Sequence, residues 1–455
     1  MHPEPEVGRA DQARPIRPFE VTHRNVVMIA TPMTLAFIST PLLGLVDTAV
    51  IGQLGSAALL GGLAIGAILF SLVDGTFNFL RSSTAGFTAQ ALGADDAGEQ
   101  QAVFLRSLTI AILCGLVLVL LTQPLLTIGL PLMGAKGAVA EATRLYVEIR
   151  MLSAPLTLVN YAILGWLLGL GRAGTGLFVQ TVLNAVNIAL SIYLGLYLEM
   201  GIAGVAWATV AAQAVASVLG IGIFLHLTRA KPGPKRAQVF DVRRMGRLMV
   251  VNRDIMIRSF ILMFAFAFFT AQGARYGETT LAANAILMQF FMIAGYFLDG
   301  LATAAEQLAG RAIGANYRPA FDRAVCLTLI WGFVLAGLAT TLFYLGGPWL
   351  IDFLTTNDAV RAEARIYLIW AAATAVVGVL AFQMDGVFIG ATWSVEMRNM
   401  MFLSLIAYIA TWFVLTPWLG NHGLWIALEV FLGARGLSLY SRIPKKVAGA
   451  FTPQG

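Results

Sequence analysis

Apolar stretches of about 20 residues recur along the whole chain, and they constrain its fold more than any other feature. An α-helix of about 20 apolar residues crosses the roughly 30 Å hydrocarbon core of a bilayer. Only helices and closed β-barrels satisfy the backbone inside a bilayer, and these long, continuous runs of Leu, Ala and Gly do not resemble the short alternating strands of a barrel. The sequence therefore predicts an all-α integral membrane protein.

We count twelve such spans, six in each half of the chain. They cover residues 26–51, 57–80, 103–130, 146–169, 175–198 and 202–226, then 248–273, 281–305, 324–345, 366–389, 400–419 and 423–440. The composition agrees, since 58% of the residues are hydrophobic and 12% are charged, whereas a soluble domain carries about 25% charged residues. A soluble globular protein is thereby excluded.

Basic residues gather outside the spans. They lie in the terminal segments 1–24 and 442–455 and in the connector 228–247 between spans six and seven. Lys and Arg in short loops favour the cytoplasm, so we expect both termini and the connector to be cytoplasmic, with residues 1–24 a flexible tail. The basic isoelectric point of about 9.4 then reflects membrane topology, with the lipid bilayer as the partner and no nucleic acid.

No pattern typical of an enzyme or a metal site stands out. Cys114 and Cys326 lie inside predicted helices, and the four His residues lie in the tails or at span ends. We therefore predict no metal, no cofactor and no enzymatic activity. A receptor would usually add a soluble sensory domain, and no segment fits one.

The second half of the chain repeats the first. The segment from Gln53 resembles the one from Arg275 at an offset of 222, and Ala91-Leu-Gly-Ala-Asp95 resembles Ala312-Ile-Gly-Ala-Asn316 at an offset of 221. The same shift places Gly165 on Gly386 and Gly169 on Gly390, and Gly201–Gly204 corresponds to Gly420–Gly423. Parallel repeats of this kind form halves related by an axis along the membrane normal. We expect six-helix lobes over 25–227 and 248–441.

Asp47 is the one charged residue between Val26 and Ile51. An ionisable residue within a membrane span marks a functional site by default. A low dielectric favours the neutral form of a carboxyl group, so Asp47 is suited to hold a proton at one stage of a cycle and release it at another. The alternative is that Asp47 lies past the hydrocarbon edge and merely solvates a helix end.

The second half has acidic candidates of its own. Asp385 lies in the middle of span ten, and Asp299 and Glu306 lie seven residues apart on one face at span eight. All three are candidates for lining a cavity. Asp254 and Arg258 are four apart, a spacing that favours a pair on one helix, and with Arg253 they favour a structural salt-bridge network.

Several motifs resemble the multidrug and toxic compound extrusion (MATE) family. Leu43–Gly52 in span one, Asn160 ahead of Gly169-Leu-Gly171 in span four, and Gly204–Thr209 in span six match its pattern. Other stretches resemble its DinF branch, namely Phe79–Gln90, Asn252–Met256, Met384–Thr392 and Glu396–Asn399. The resemblance extends from about residue 25 to 442. It implies two lobes arranged as a V and export of organic cations, drugs and metabolites in exchange for protons or sodium.

The resemblance also implies a polar network around Asp47. By this resemblance the members of the network are Tyr146, Asn187, Ser191 and Thr209, and Asn160 and Asn184 are further polar candidates. Many relatives have Asp where this chain has Ser191, so a second negative charge is lost. Hard cations favour several charged oxygen ligands, so the loss disfavours a sodium site in this lobe. Ordinary interhelical hydrogen bonding is the alternative for Asn184, Asn187 and Thr209.

The sequence therefore predicts a monomeric efflux transporter of the inner cell membrane. It is expected to exchange small cationic or amphipathic organic substrates for protons by alternating access of the two lobes. Sodium coupling is one alternative. A flippase for lipid-linked saccharides is another, but Arg81, Arg258 and Arg311 are too few and too scattered to favour a pyrophosphate-binding cavity.

Overall fold

The computed structural model describes residues 15–451, and every regular element within that range is a helix. The first half contains α1 (His23–Gln53), α2 (Ala57–Phe77), α3 (Phe79–Gly93), α4 (Ala97–Leu120), α5 (Thr122–Leu132), α6 (Gly137–Met151), α7 (Ala154–Gly169), α8 (Ala173–Ile192) with a π-helical turn Tyr193–Tyr197, and α9 (Gly201–Thr228). The short α10 (Arg236–Val239) follows. The second half contains α11 (Val242–Gly273), a 3-10 turn Ala274–Tyr276, α12 (Glu278–Gly314), α13 (Arg318–Leu354), α14 (Asp358–Gly390), α15 (Ser394–Leu419) and α16 (Asn421–Ala450).

The twelve predicted spans are confirmed within the described range. Eleven helices are long and apolar enough to cross a membrane, and the bent pair α6–α7 makes the twelfth when it is taken as one span. The two halves of this pair meet at 51°. Pro155, the second residue of α7, has no N–H with which to continue the helical hydrogen bonds of α6, which explains a bend there.

Several predicted boundaries differ from the observed helix ends, including those of spans three, seven and twelve. The span 103–130 is interrupted at Leu121, three residues before Pro124, which lacks a backbone donor. The helix predicted from 248 already starts at Val242, because the Asp241 carboxylate caps it by accepting from the backbone N–H groups of Arg243 and Arg244 at 2.9 and 3.1 Å. At the other end α16 runs to Ala450, well into the predicted tail 442–455.

The described part of the N-terminal tail is bound to the opposite half. The backbone N–H of Arg17 donates to the carbonyl of Ala315 at 2.9 Å, and the guanidinium of Arg311 lies 4.2 Å from the ring centre of Phe19. The sequence predicts a flexible tail up to residue 24, and in the structure Arg17 and Phe19 of that segment contact the second half. Residues 1–14 lie outside the described range.

Equivalent glycines make equivalent contacts in the two halves, which confirms the repeat. Gly165 of α7 packs on the Arg81 carbonyl of α3, and Gly386 of α14 packs on the Ala302 carbonyl of α12. Arg81 and Ala302 are themselves 221 positions apart. Neither glycine has room for a Cβ atom. The repeat therefore extends from sequence to helix packing, and the fold is two six-helix lobes.

The lobes meet at the end of the molecule that carries both described chain ends. Gly93 of α3 lies against the Arg311 carbonyl of α12, and Gly314 of α12 lies against the Gln90 carbonyl of α3. The side-chain amide of Gln90 also donates to the Gly390 carbonyl at 2.9 Å. These reciprocal contacts are those expected where two equivalent helices cross a twofold axis.

Candidate functional site

A cavity of about 430 Å³ lies within the first lobe, among α1 to α3 and α6 to α9. Apolar side chains form part of its wall. The polar and charged side chains that line it include Asp47, Arg150, Asn160, Gln180, Asn187, Thr209 and Gln213. Three of the predicted network residues and Asn160 therefore face one space.

Asp47 is buried beside this cavity, with 7% of its surface exposed. The hydroxyl of Ser191 on α8 donates to its Oδ1 atom at 2.9 Å. Helix α1 continues for six residues beyond Asp47, so the carboxylate does not cap a helix end. The solvated-end alternative does not fit this position.

Asn187 and Ser191 lie on one face of α8, as their spacing predicts. The amide of Asn187 donates to the Thr209 hydroxyl on α9 at 3.0 Å. Its carbonyl oxygen is buried and has no hydrogen-bond partner among the described residues. A buried acceptor without a partner is costly, so this amide leaves one polar position open to water or a proton donor.

Tyr146 joins the network through a residue that sequence reasoning missed. Its hydroxyl accepts a hydrogen bond from Arg150, which lies one turn further along α6 and lines the cavity. The Arg150 guanidinium also lies 4.2 Å from the centre of the Phe70 ring. The spacing of four residues between Tyr146 and Arg150 places both side chains on one face of a helix, and this spacing was the sequence signal that could have identified Arg150. Asp47 thus shares its cavity with a cation.

The other two polar candidates make interhelical hydrogen bonds. Asn160 donates to the Gln213 side chain at 2.6 Å and accepts from Ser217 at 3.1 Å. Asn184 donates to the Ser39 hydroxyl at 2.8 Å. Asn160 lines the cavity and Asn184 is not among its lining residues, so Asn184 is placed to hold α8 against α1.

A second cavity, of about 280 Å³, lies between the two lobes. All three acidic candidates of the second half line it: Asp299, Glu306 and Asp385. Three arginines line it as well: Arg81, Arg258 and Arg435. The buried Glu306 carboxylate lies 4.0 Å from the Arg81 guanidinium of the first lobe, so one acid–base pair bridges the halves.

Asp385 is held between two guanidinium groups, and this differs from the pairing predicted. Arg258 and Arg435 both form ion pairs with its carboxylate. The predicted pair of Asp254 with Arg258 is wrong, because Asp254 faces α15, where it accepts from Arg398 at 2.8 Å and from Ser394 at 3.0 Å. Spacing along one helix does not reveal a closer partner on another.

Within residues 15–451, no group of three or more His, Cys, Asp or Glu side chains is arranged to hold a metal ion. The acidic residues of both cavities are instead arranged with arginines, amides and hydroxyls.

The sequence model of the MatE family matches residues 32–218 and 255–418. The chain belongs to the MatE family. It is 40% identical over 416 residues to the DNA damage-inducible protein F of Escherichia coli K12, with 90% of each chain covered. It is 26% identical over 453 residues to a probable multidrug resistance protein NorM of Caulobacter vibrioides, with 96% of this chain and 92% of the relative covered. The expected family and its DinF branch are confirmed.

Solved structures of the family share the fold. A multidrug resistance MATE family transporter in an outward-facing conformation matches with a TM-score of 0.84 at 18% identity, covering 94% of this chain and 96% of that one. A MATE structure in the bent conformation matches with a TM-score of 0.86, also at 18% identity and with the same coverage. At 18% identity these matches show that the chain has the fold of these structures, and they show no more than the fold.

Proposed function

We propose that this protein is a secondary active efflux transporter that exports organic cations, drugs or toxic metabolites in exchange for protons. Asp47 is the proposed coupling residue, with Tyr146, Asn187, Ser191 and Thr209 around it. One relative is named as a probable multidrug resistance protein, which supports transport in place of catalysis. The basic connector and terminal segments support an inner-membrane protein with cytoplasmic termini, and we propose that it acts as a monomer.

The observation that carries proton coupling is the setting of Asp47. It is the one carboxylate among the described residues that line the cavity of the first lobe, and the Ser191 hydroxyl donates a hydrogen bond to it. A sodium ion would need several oxygen ligands, and the guanidinium of Arg150 in the same cavity repels a metal cation. A proton needs one oxygen atom only.

The exchange follows from the two states of this carboxyl group. The neutral form is stable in a low dielectric, whereas the ionised form attracts cations. Loss of the proton to water leaves a carboxylate in the cavity that Arg150 also lines, and the network must rearrange to compensate for the new negative charge. We propose that this rearrangement moves the lobes between their two openings.

The cavity between the lobes is the proposed substrate site. Phe37, Phe266, Phe291, Phe382, Met292 and Tyr296 line it together with the three acids and three arginines. Aromatic faces attract organic cations, and Met adapts to varied apolar shapes. Three arginines balanced by three acids give no surplus of positive charge for a pyrophosphate, which disfavours the flippase alternative.

Efflux of a fluorescent organic cation from proteoliposomes tests the proposal under an imposed pH gradient or an imposed sodium gradient. We expect wild type to respond to the pH gradient and Asp47→Asn to lose that response. Asp322→Asn serves as the matched control, because Asp322 is exposed and pairs with Arg318 at the surface. Sodium-driven efflux that survives Asp47→Asn would contradict proton coupling at Asp47, and absence of efflux under both gradients would contradict cation export.

A further inference from the structure

A further cavity, of about 490 Å³, opens between the first turn of α15 and the last turns of α16. Three basic side chains line it, Arg442, Lys445 and Lys446, together with one acidic side chain, Glu396, and the indole of Trp393. Its volume lies within the range of about 300–1,000 Å³ that is usual for small-ligand sites. None of its lining residues lines either of the two cavities described above, so it is a separate space.

The antiparallel packing of α15 and α16 brings these side chains together. Gly423, near the start of α16, packs on the Leu415–Thr416 backbone near the end of α15, so the end of α16 returns to the start of α15. There the ammonium group of Lys446 donates to the Glu396 carboxylate at 2.7 Å and lies 5.6 Å from the centre of the Trp393 ring. These contacts hold Lys446 in place on the cavity wall.

The other two cations of the cavity have no acidic partner among residues 15–451. Arg442 and Lys445 are exposed, and neither forms an ion pair within this range. They share one face of α16 with Lys446, because the spacings of three and four residues follow the helical repeat. Three cations against one anion leave a surplus of two positive charges in the lining. The cavity therefore favours an anionic ligand.

The cavity lies where the surface of the protein changes from charged to apolar. Leu403 follows Glu396 by seven residues on α15, so the two residues share one face and lie about 10 Å apart along the helix axis. The Leu403 side chain is 50% exposed. Trp is enriched at the boundary between hydrocarbon and water, and Trp393 lies in the cavity wall. The basic side chains are therefore at the level of the lipid headgroups, and Leu403 faces the hydrocarbon core.

We propose that this cavity binds the phosphate headgroup of an anionic phospholipid. The guanidinium of Arg442 is suited to bind two phosphate oxygens at once, and the ammonium groups of Lys445 and Lys446 add compact positive charges. Basic pockets between membrane helices bind lipid headgroups through charges of this kind. The acyl chains then lie along the face of α15 that carries Leu403.

The surroundings of the cavity favour a lipid over a dissolved anion. The surplus of positive charge attracts any phosphate, but a dissolved phosphate gains nothing from the apolar surface beside the cavity. A phospholipid places its headgroup among the cations and its chains against Leu403 at the same time. Every lining residue lies in the second lobe. A lipid held there therefore moves with that lobe, and its binding is independent of the coupling ion and of the exported substrate.

Native mass spectrometry of the full-length protein in a neutral detergent tests this site without a substrate or a gradient. The protein is titrated with phosphatidylglycerol or with phosphatidylcholine of the same acyl chains, and we expect tighter binding of phosphatidylglycerol. Arg442→Gln/Lys445→Gln should weaken that binding by about 5–30-fold, because two of the three cations are lost. Arg229→Gln/Lys231→Gln removes the same charges from exposed positions in the connector, and this matched control should bind the lipid as wild type does.

Equal affinities of wild type for the two lipids, or equal losses in the two double variants, would overturn the proposal. Displacement of phosphatidylglycerol by an equal concentration of inorganic phosphate would also overturn it, in favour of a dissolved anion.

A second variant should change the affinity in the opposite direction. Glu396→Gln removes the acid from the lining and releases Lys446, so phosphatidylglycerol should bind up to about fivefold more tightly. Glu20→Gln makes the same change at an exposed position that does not line the cavity and should leave the affinity unchanged. An unchanged affinity in Glu396→Gln would contradict headgroup binding in this cavity.

Discussion

Removing the carboxylate of Asp385 should destabilise the fold more than any surface charge change. Asp385 and Arg435 are 5% and 3% exposed, and Arg258 pairs with the same carboxylate. Asp385→Asn leaves two guanidinium groups without this counter-ion in the membrane interior. Breaking a buried ion pair by removing one partner costs about 3–5 kcal/mol, which corresponds to a fall of about two to nearly four orders of magnitude in the folded-to-unfolded ratio.

The assay is unfolding of purified protein in mixed micelles of increasing denaturing-detergent content, followed by far-ultraviolet circular dichroism. Asp322→Asn breaks an exposed pair of 3.3 Å between side chains that are 55% and 61% exposed and should cost less than about 1 kcal/mol. The double variant Asp385→Asn/Arg435→Gln should recover part of the loss, because the buried cation leaves with its partner. An Asp385→Asn variant as stable as Asp322→Asn would refute this reasoning.

Two further predictions concern helix packing and lobe separation. Gly386→Ala places a methyl group against the Ala302 carbonyl and should lower the free energy of unfolding by about 1–3 kcal/mol in the same assay. In the control Gly337→Ala the added methyl group meets no atom within 4 Å, so this change should be neutral or stabilising by up to about 1 kcal/mol. Equal effects of the two changes would contradict the close helix crossing at Gly386. Arg244→Gln removes the half-exposed cation that pairs with Glu99 at the end where the lobes meet and should raise the population with that end apart by up to about fivefold. Unchanged spin-label distances between α4 and α11 would contradict this.

The architecture was predictable because each span carries its own signal. A stretch such as 57–80 is long and apolar enough to cross the membrane irrespective of its neighbours, and the repeat of Gly165 at Gly386 reports a close helix crossing in each half. Helix breaks carry less signal. Leu121 lies in apolar sequence and Leu152 lies inside a predicted span, and a nearby Pro is often tolerated inside membrane helices.

The candidate site was predictable for Asp47 and its neighbours on α8, since an isolated charge and a spacing of four can be read from the sequence. The partners of charged residues were not. Arg150 joins Tyr146, and Arg435 joins Asp385 from a helix 50 positions away. The choice of Arg258 between Asp254 and Asp385 depends on which helix packs closer, and a linear sequence does not contain that distance.

Proton release on substrate binding tests the central claim most directly. Purified protein in weakly buffered detergent solution is mixed with a saturating organic cation, and the proton yield is measured with a pH-sensitive dye. The account predicts that Asp47→Asn releases about one proton fewer per bound cation than wild type and Asp322→Asn, because its side chain no longer titrates. An unchanged proton yield in Asp47→Asn would contradict the assignment of Asp47 as the coupling residue.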